Sequence, residues 1–188
     1  MIKNKLLKKL KEEYKKNEVN RRKIISSSNE ILFKSKKTIF ALQKSDKKTA
    51  EKNLLELEIS LNKMFSDFGK NRLLKEGAFK AAAEEYMEAF VFFNILYKKN
   101  ITENKLDLDY ESYLGGICDA IGEMVRFATN SAAAGKFSVA SKMKKQAEII
   151  MEDLLDFDFT GYLRTKYDQA RGHLRKLEQI SYEIKLRK

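Results

Sequence analysis

The sequence contains no proline and no tryptophan, and it has only 8 glycines, one cysteine and one histidine in 188 residues. Each scarcity excludes something. A β-sandwich or barrel of this length needs many more turn residues. Absence of proline suits long helices instead, because an interior proline costs about 3 kcal/mol. The lone cysteine, Cys118, excludes an intramolecular disulfide framework and fits a reducing cytoplasm. The lone histidine, His173, excludes a His-rich zinc or iron centre, so a metal site within one chain must use mainly carboxylates. No apolar run approaches the roughly 20 residues of a membrane span. The opening MIKNKLLKKLKEEYKK builds no apolar signal-peptide core. A cytoplasmic protein without a membrane partner is expected.

Hydrophobic residues make up 43% of the chain and charged residues 35%, enough for a packed core and against global disorder. The net charge is +11, and its placement is uneven. Residues 1–50 carry 16 Lys/Arg against 5 Asp/Glu, whereas residues 51–188 carry 22 of each sign. The whole excess is therefore N-terminal. Such a block is an electrostatic footprint for a polyanion, either nucleic acid or an anionic membrane, or else a solvated face that keeps the chain soluble.

Periodicity predicts one all-α domain over 1–188 with six or seven helices. Residues 2–16 are basic and amphipathic, and 1–18 reads as a helical extension. Residues 19–43 continue after it, with the polar Ser26–Ser27–Ser28 as an interruption. A turn at 45–48 offers Ser45 or Asp46 as N-cap to a helix over 49–68, closed by Gly69. Residues 71–98 are apolar almost all round, as in a helix buried on two sides. A polar connection follows at 99–108. Further helices are expected over 109–134 with Asp109 as N-cap and Gly135 as stop, over 137–155, and over 160–187.

Two segments place charge in apolar surroundings. In Glu84–Glu85–Tyr86–Met87–Glu88, the second and third glutamates fall within about 60° of each other on a helix. Their face also carries Ala81, Phe92, Ile95 and Leu96, and the opposite face is equally apolar. A buried, unpaired carboxylate costs several kcal/mol unless it is paired, protonated or metal-bound. In Gly115–Gly116–Ile117–Cys118–Asp119–Ala120–Ile121–Gly122–Glu123, the two acids form an i,i+4 pair. Three glycines within one helix cost roughly 1 kcal/mol each against alanine, which is justified where another backbone or a ligand comes close. With 27 acidic residues in 188, chance alone supplies about four pairs at any one spacing, so spacing by itself does not separate a metal site from salt bridges.

These residues carry a resemblance. RKIISSSNEILFKSKKTIFALQK (22–44), EEYMEAF (84–90), YLGGICDAIGEMVRFATNSAAAGKF (113–137) and KYDQARGHLRKLEQISYEIKLR (166–187) resemble the translin superfamily, most closely the branch of translin-associated factor X. The resemblance implies an all-α subunit of a closed, hollow, roughly octameric homo-oligomer that binds single-stranded RNA or DNA inside. It further implies an endoribonuclease of single-stranded RNA or nicked duplexes. Carried over, its catalytic carboxylates fall on Glu85, Glu88 and Asp119, with Glu123 on the same helix as Asp119 able to assist. The translin branch lacks the aspartate, and a non-catalytic strand-binding shell is the alternative. The short 99–108 connection and the lack of a C-terminal tail resemble a prokaryotic, self-assembling version. Four carboxylates from two helices would suit Mg²⁺ or Mn²⁺. Arg21, Arg22, Lys36, Lys37, Arg72, Lys75 and Lys80 are the candidate phosphate contacts. Arg126 is expected to pair with Glu123, and Cys118 to be a small core residue.

Overall fold

A computed structural model describes residues 4–97 and 106–186. Most of the expected 99–108 connection lies outside them, as do Ile2 and the last two residues. The chain is all-α, with helices α1 (Asn4–Gln43), α2 (Lys47–Phe68), a single turn α3 (Lys70–Leu73), α4 (Gly77–Tyr97), α5 (Tyr110–Ala133), α6 (Phe137–Asp153) and α7 (Gly161–Leu186). A 3₁₀ turn, Leu154–Asp156, ends α6.

The triple serine does not interrupt α1. The helix runs unbroken for 40 residues, about 60 Å at 1.5 Å per residue. Ile24, Ser28, Ile31, Ser35, Thr38, Ile39 and Leu42 are buried at three- and four-residue steps, so Ser28 belongs to the packed stripe. Residues 4–17 are exposed throughout, so the basic N-terminal portion is part of α1 and projects past the core.

The α1–α2 turn resolves the choice of cap. The Asp46 carboxylate accepts from the Thr49 backbone N–H at 3.1 Å, while Ser45 takes a left-handed φ of 60°. Gly69 (φ 76°) and Gly135 (φ 74°) stop their helices as expected. Asp109 holds the N-cap position of α5, but its carboxylate accepts from the Ser112 hydroxyl at 2.6 Å and not from a backbone N–H.

α4 is the central helix, packed between α1 and α5, and α5 packs in turn on α6 and α7. Its core face includes Phe79, Tyr86, Met87 and Phe92, all fully buried. Two glycines of α5 set its distance from α4. A Cβ on Gly116 would stand 2.5 Å from Met87 Cβ and 2.9 Å from Glu84 O and Glu88 N. A Cβ on Gly115 would collide with the Glu84 carboxylate.

Gly116→Ala is therefore expected to force α4 and α5 apart and lower stability by about 1–3 kcal/mol. Gly172→Ala has open space around it within α7 and is expected to raise stability by about 0.5–1 kcal/mol. Chemical denaturation of the two variants checks both signs.

Candidate functional site

The close approach of α4 and α5 brings the two acidic segments of the sequence together. α4 contributes Glu84, Glu85 and Glu88, and α5 contributes Asp119 and Glu123. Helix α7 supplies the charge that answers them. Lys166 Nζ lies 2.8 Å from Glu84 Oε1 and 2.5 Å from Asp119 Oδ2, with side chains only 16% (Lys166), 13% (Glu84) and 27% (Asp119) exposed. Tyr162 donates its hydroxyl to the Glu84 carboxylate, 2.7 and 2.8 Å from its two oxygens. Burial works against the Lys166 charge, but the hydrogen bonds to Asp119 and Glu84 overcome it and its pKa is raised.

Glu123 is held from α1. Gln43 Nε2 donates to its carboxylate at 2.7 Å and to its backbone carbonyl at 2.9 Å. Arg126 stands 3.7 Å from the same carboxylate, the pairing expected from sequence. Gln43 Oε1 is buried and has no hydrogen-bond partner among the described residues, an open acceptor beside Glu123.

Glu85 and Glu88 have no such answer. Burial, followed by the negative charges of Glu85, Asp119 and Glu123, pushes Glu88 up to about 9, with Lys166 acting weakly the other way. Glu85 is raised by burial and by Asp119, Glu123 and Glu84, with Lys36 of α1 opposing. Glu88 is thus protonated at neutral pH. The four carboxylates expected from sequence share one electrostatic field. As placed, no three acidic, histidine or cysteine side chains among the described residues converge at metal-holding distance. The donor set nonetheless fits a hard cation in kind. It is all oxygen, it holds two carboxyl groups without an ion pair among the described residues, and it has an open acceptor next to a third.

Sequence reasoning missed Glu84, Tyr162, Lys166 and Gln43. The collision of a Gly115 Cβ with Glu84 is the trace that the glycine pair left of the first. His173 received no role from sequence. It is half-buried against Gly122, whose Cβ would lie 3.3 Å from Nε2, and it feels Asp119 and Glu123. Burial and Lys176 outweigh those acids, lower its pKa and keep it neutral near pH 7. Cys118 is buried in the core, and its thiol is pushed up to about 12 chiefly by burial, so it is inert.

The basic candidates divide. Arg21 and Arg72 both pair with Glu76, at 3.4 and 2.7 Å. Lys80 pairs with Glu111 at 2.9 Å. Arg22, Lys36, Lys37 and Lys75 are exposed, with Lys36 near Glu85 and Lys37 over the Phe33 ring.

The family model for translin matches residues 19–188. The chain belongs to the translin family. A protein of Methanocaldococcus jannaschii described as uncharacterised is 28% identical over 168 residues, 83% of this chain and 72% of its own length. Chicken translin is 31% identical over 91 residues, 45% of this chain and 38% of its own. Among solved structures, apo-NeC3PO superposes with a TM-score of 0.85 at 28% identity, covering 97% of each chain. AfC3PO in complex with duplex RNA superposes with a TM-score of 0.86 at 24% identity and 97% coverage of each chain, a likeness of fold. The match to the translin family begins at residue 19, so the projecting start of α1 lies outside it.

The Glu88 environment carries a pH dependence. Between the ordinary carboxylate value and about 9, the native chain keeps a proton that the unfolded chain has lost. Stability therefore falls as pH rises through that window, by up to about 1.4 kcal/mol per pH unit. Glu88→Gln is expected to remove that slope and to be more stable than the parent at pH 8, with a smaller difference at pH 5. Denaturant titrations at the two pH values read it directly.

Proposed function

We propose that this translin-family chain is a metal-dependent endoribonuclease. Its substrate is single-stranded RNA or a nicked duplex, and it acts within a closed homo-oligomer, an octamer by resemblance. The observation that carries the reading is the acidic cluster on α4 and α5, in which Lys166 secures Glu84 and Asp119 while Glu85 and Glu88 make no ion pair among the described residues. A purely structural network would pair each acid with a cation; here two acids of the cluster are left without an ion pair among the described residues. AfC3PO, whose fold the chain shares, is known in complex with duplex RNA, which supports a polynucleotide as the partner.

Glu85, Glu88, Asp119 and Glu123 would hold Mg²⁺ or Mn²⁺. When bound, such an ion supplies polarisation of the scissile phosphate and a water of lowered pKa. Glu88 holds a proton at its carboxyl in the free protein and must release it before it can ligate, so affinity for the ion rises with pH. Glu123, whose carboxylate accepts from Gln43 at 2.7 Å, or Glu88 would take the proton of the attacking water. Lys166 keeps Glu84 and Asp119 from repelling each other and orients Asp119 from the α7 side. The exposed Arg22, Lys36, Lys37 and Lys75 hold the strand through its phosphates, without sequence preference and with strong salt dependence.

The second reading is a strand-binding shell without catalysis. It is favoured by the same Lys166, which already occupies Asp119. Incubation of purified protein with labelled single-stranded RNA, in Mg²⁺ and in EDTA, separates the two. Cleavage is expected only with Mg²⁺. Glu88→Gln and Asp119→Asn are each expected to lower the rate at least 100-fold while leaving strand binding in EDTA within a few-fold of the parent. Mg²⁺ is also expected to raise the melting temperature of the parent and not of Glu88→Gln. Cleavage in EDTA, or full activity in both variants, defeats the nuclease; binding without cleavage establishes the second reading.

A further inference from the structure

The outer face of α1 carries aromatic rings that the core does not use. Phe33 and Phe40 are 60% and 51% exposed. At 100° per residue, Arg22, Phe33, Lys36, Lys37, Phe40 and Lys44 fall within an arc of about 100° on one side of the helix. Residues 31–44 include four lysines and no acidic residue. Each ring is paired with the lysine one turn on: Lys37 Nζ stands 4.4 Å from the centroid of Phe33, and Lys44 Nζ 4.4 Å from that of Phe40. A groove of about 810 Å³ between α1 and α2 opens beside Phe33 and Lys37, with room for a splayed base.

This face borders the acidic cluster. Lys36, at its edge, is close enough to Glu85 to oppose the rise in its pKa, and Gln43 at the end of α1 holds Glu123. Exposed rings interleaved with cations suit a ligand that offers flat π-faces and negative charge in alternation. A second copy of the same face does not, because its lysines would repel.

We infer that α1 is a stacking platform for a single-stranded nucleic acid. Phe33 and Phe40 each take a base, while Lys36, Lys37, Lys44 and Arg22 take neighbouring phosphates. The strand is thereby laid alongside Glu85. The inference rests on the strand-binding part of the reading above and not on cleavage. Every base has a π-face, so the platform discriminates single strands from paired ones and not one sequence from another.

The test is fluorescence anisotropy in EDTA with a labelled oligouridylate and a matched abasic strand of equal phosphate count. Phe33→Ala and Phe40→Ala are each expected to weaken oligouridylate binding about tenfold and to leave the abasic strand unaffected. Trp at either position is expected to restore affinity. Ala variants that bind oligouridylate as the parent does, or that lose both strands equally, overturn the platform. So does a change of assembly size by light scattering without a base-dependent loss, which would make the rings a contact between copies. A parent that binds neither strand overturns the strand-binding reading itself. A base-dependent loss in a protein that cleaves nothing sustains the platform while the nuclease fails.

Discussion

The contact of the α5 backbone with α4 at Gly116 governs the rest of the structure. Ordinary side chains hold helix axes 8–10 Å apart. Here a methyl group would already touch Met87 and two backbone atoms of the neighbouring helix. The glycines cost helix stability, and what they allow is unfavourable in itself: three glutamates of one helix brought beside an aspartate and a glutamate of the next. Ordinary packing does not explain why a fold would accept both penalties at one place. A cation-binding site of the kind proposed above would.

Two devices limit the repulsion. Lys166 reaches from α7 to both helices at once, and removing one member of such a buried network typically costs about 3–5 kcal/mol. Glu88 stays protonated, held there by burial and by its neighbours. At neutral pH the cluster is therefore less negative than its five carboxyl groups suggest. Its remaining capacity for cations is conditional, since a proton must leave Glu88 before that oxygen can serve as a hard ligand. The two ion pairs of Lys166 go to Glu84 and Asp119, and on Glu88 it acts only weakly, through charge.

Most helices were legible because local rules decided them. Asp46 caps α2 through Thr49, and Gly69 and Gly135 end helices by taking a positive φ that other residues avoid. The glycines of α5 were legible as a close approach, and the carboxylates as charge set among apolar neighbours. Where reading along the chain failed, the deciding partner was on another helix. Ser26–Ser27–Ser28 looks like an interruption along the chain, yet Ser28 is fully buried in the packed stripe of α1. Lys166 looks like one lysine among many, and nothing within a helical turn marks its bond to Asp119, 47 positions away. Glu84 was overshadowed by Glu85 and Glu88, whose i,i+3 spacing is visible locally, whereas its own partners are Tyr162 and Lys166 of α7.

The uneven charge of the sequence acquires a spatial meaning on α1. One side of this rod is buried in the core through serines and aliphatic residues; the basic start of the helix projects past the core, and Lys36 further along acts on Glu85. A polyanion approaching the cluster alone would be repelled. Beside α1 it meets cations first, and at physiological salt the opposing fields are each felt only over about 8 Å. Attraction to the lysines therefore acts along the length of the helix, while repulsion is confined to the few phosphates that pass Glu85 and Glu88. Those phosphates are the ones a divalent ion would have to reach. A cationic helix beside an anionic pocket, opposed in sign, would thus set where the proposed strand and the proposed ion could meet.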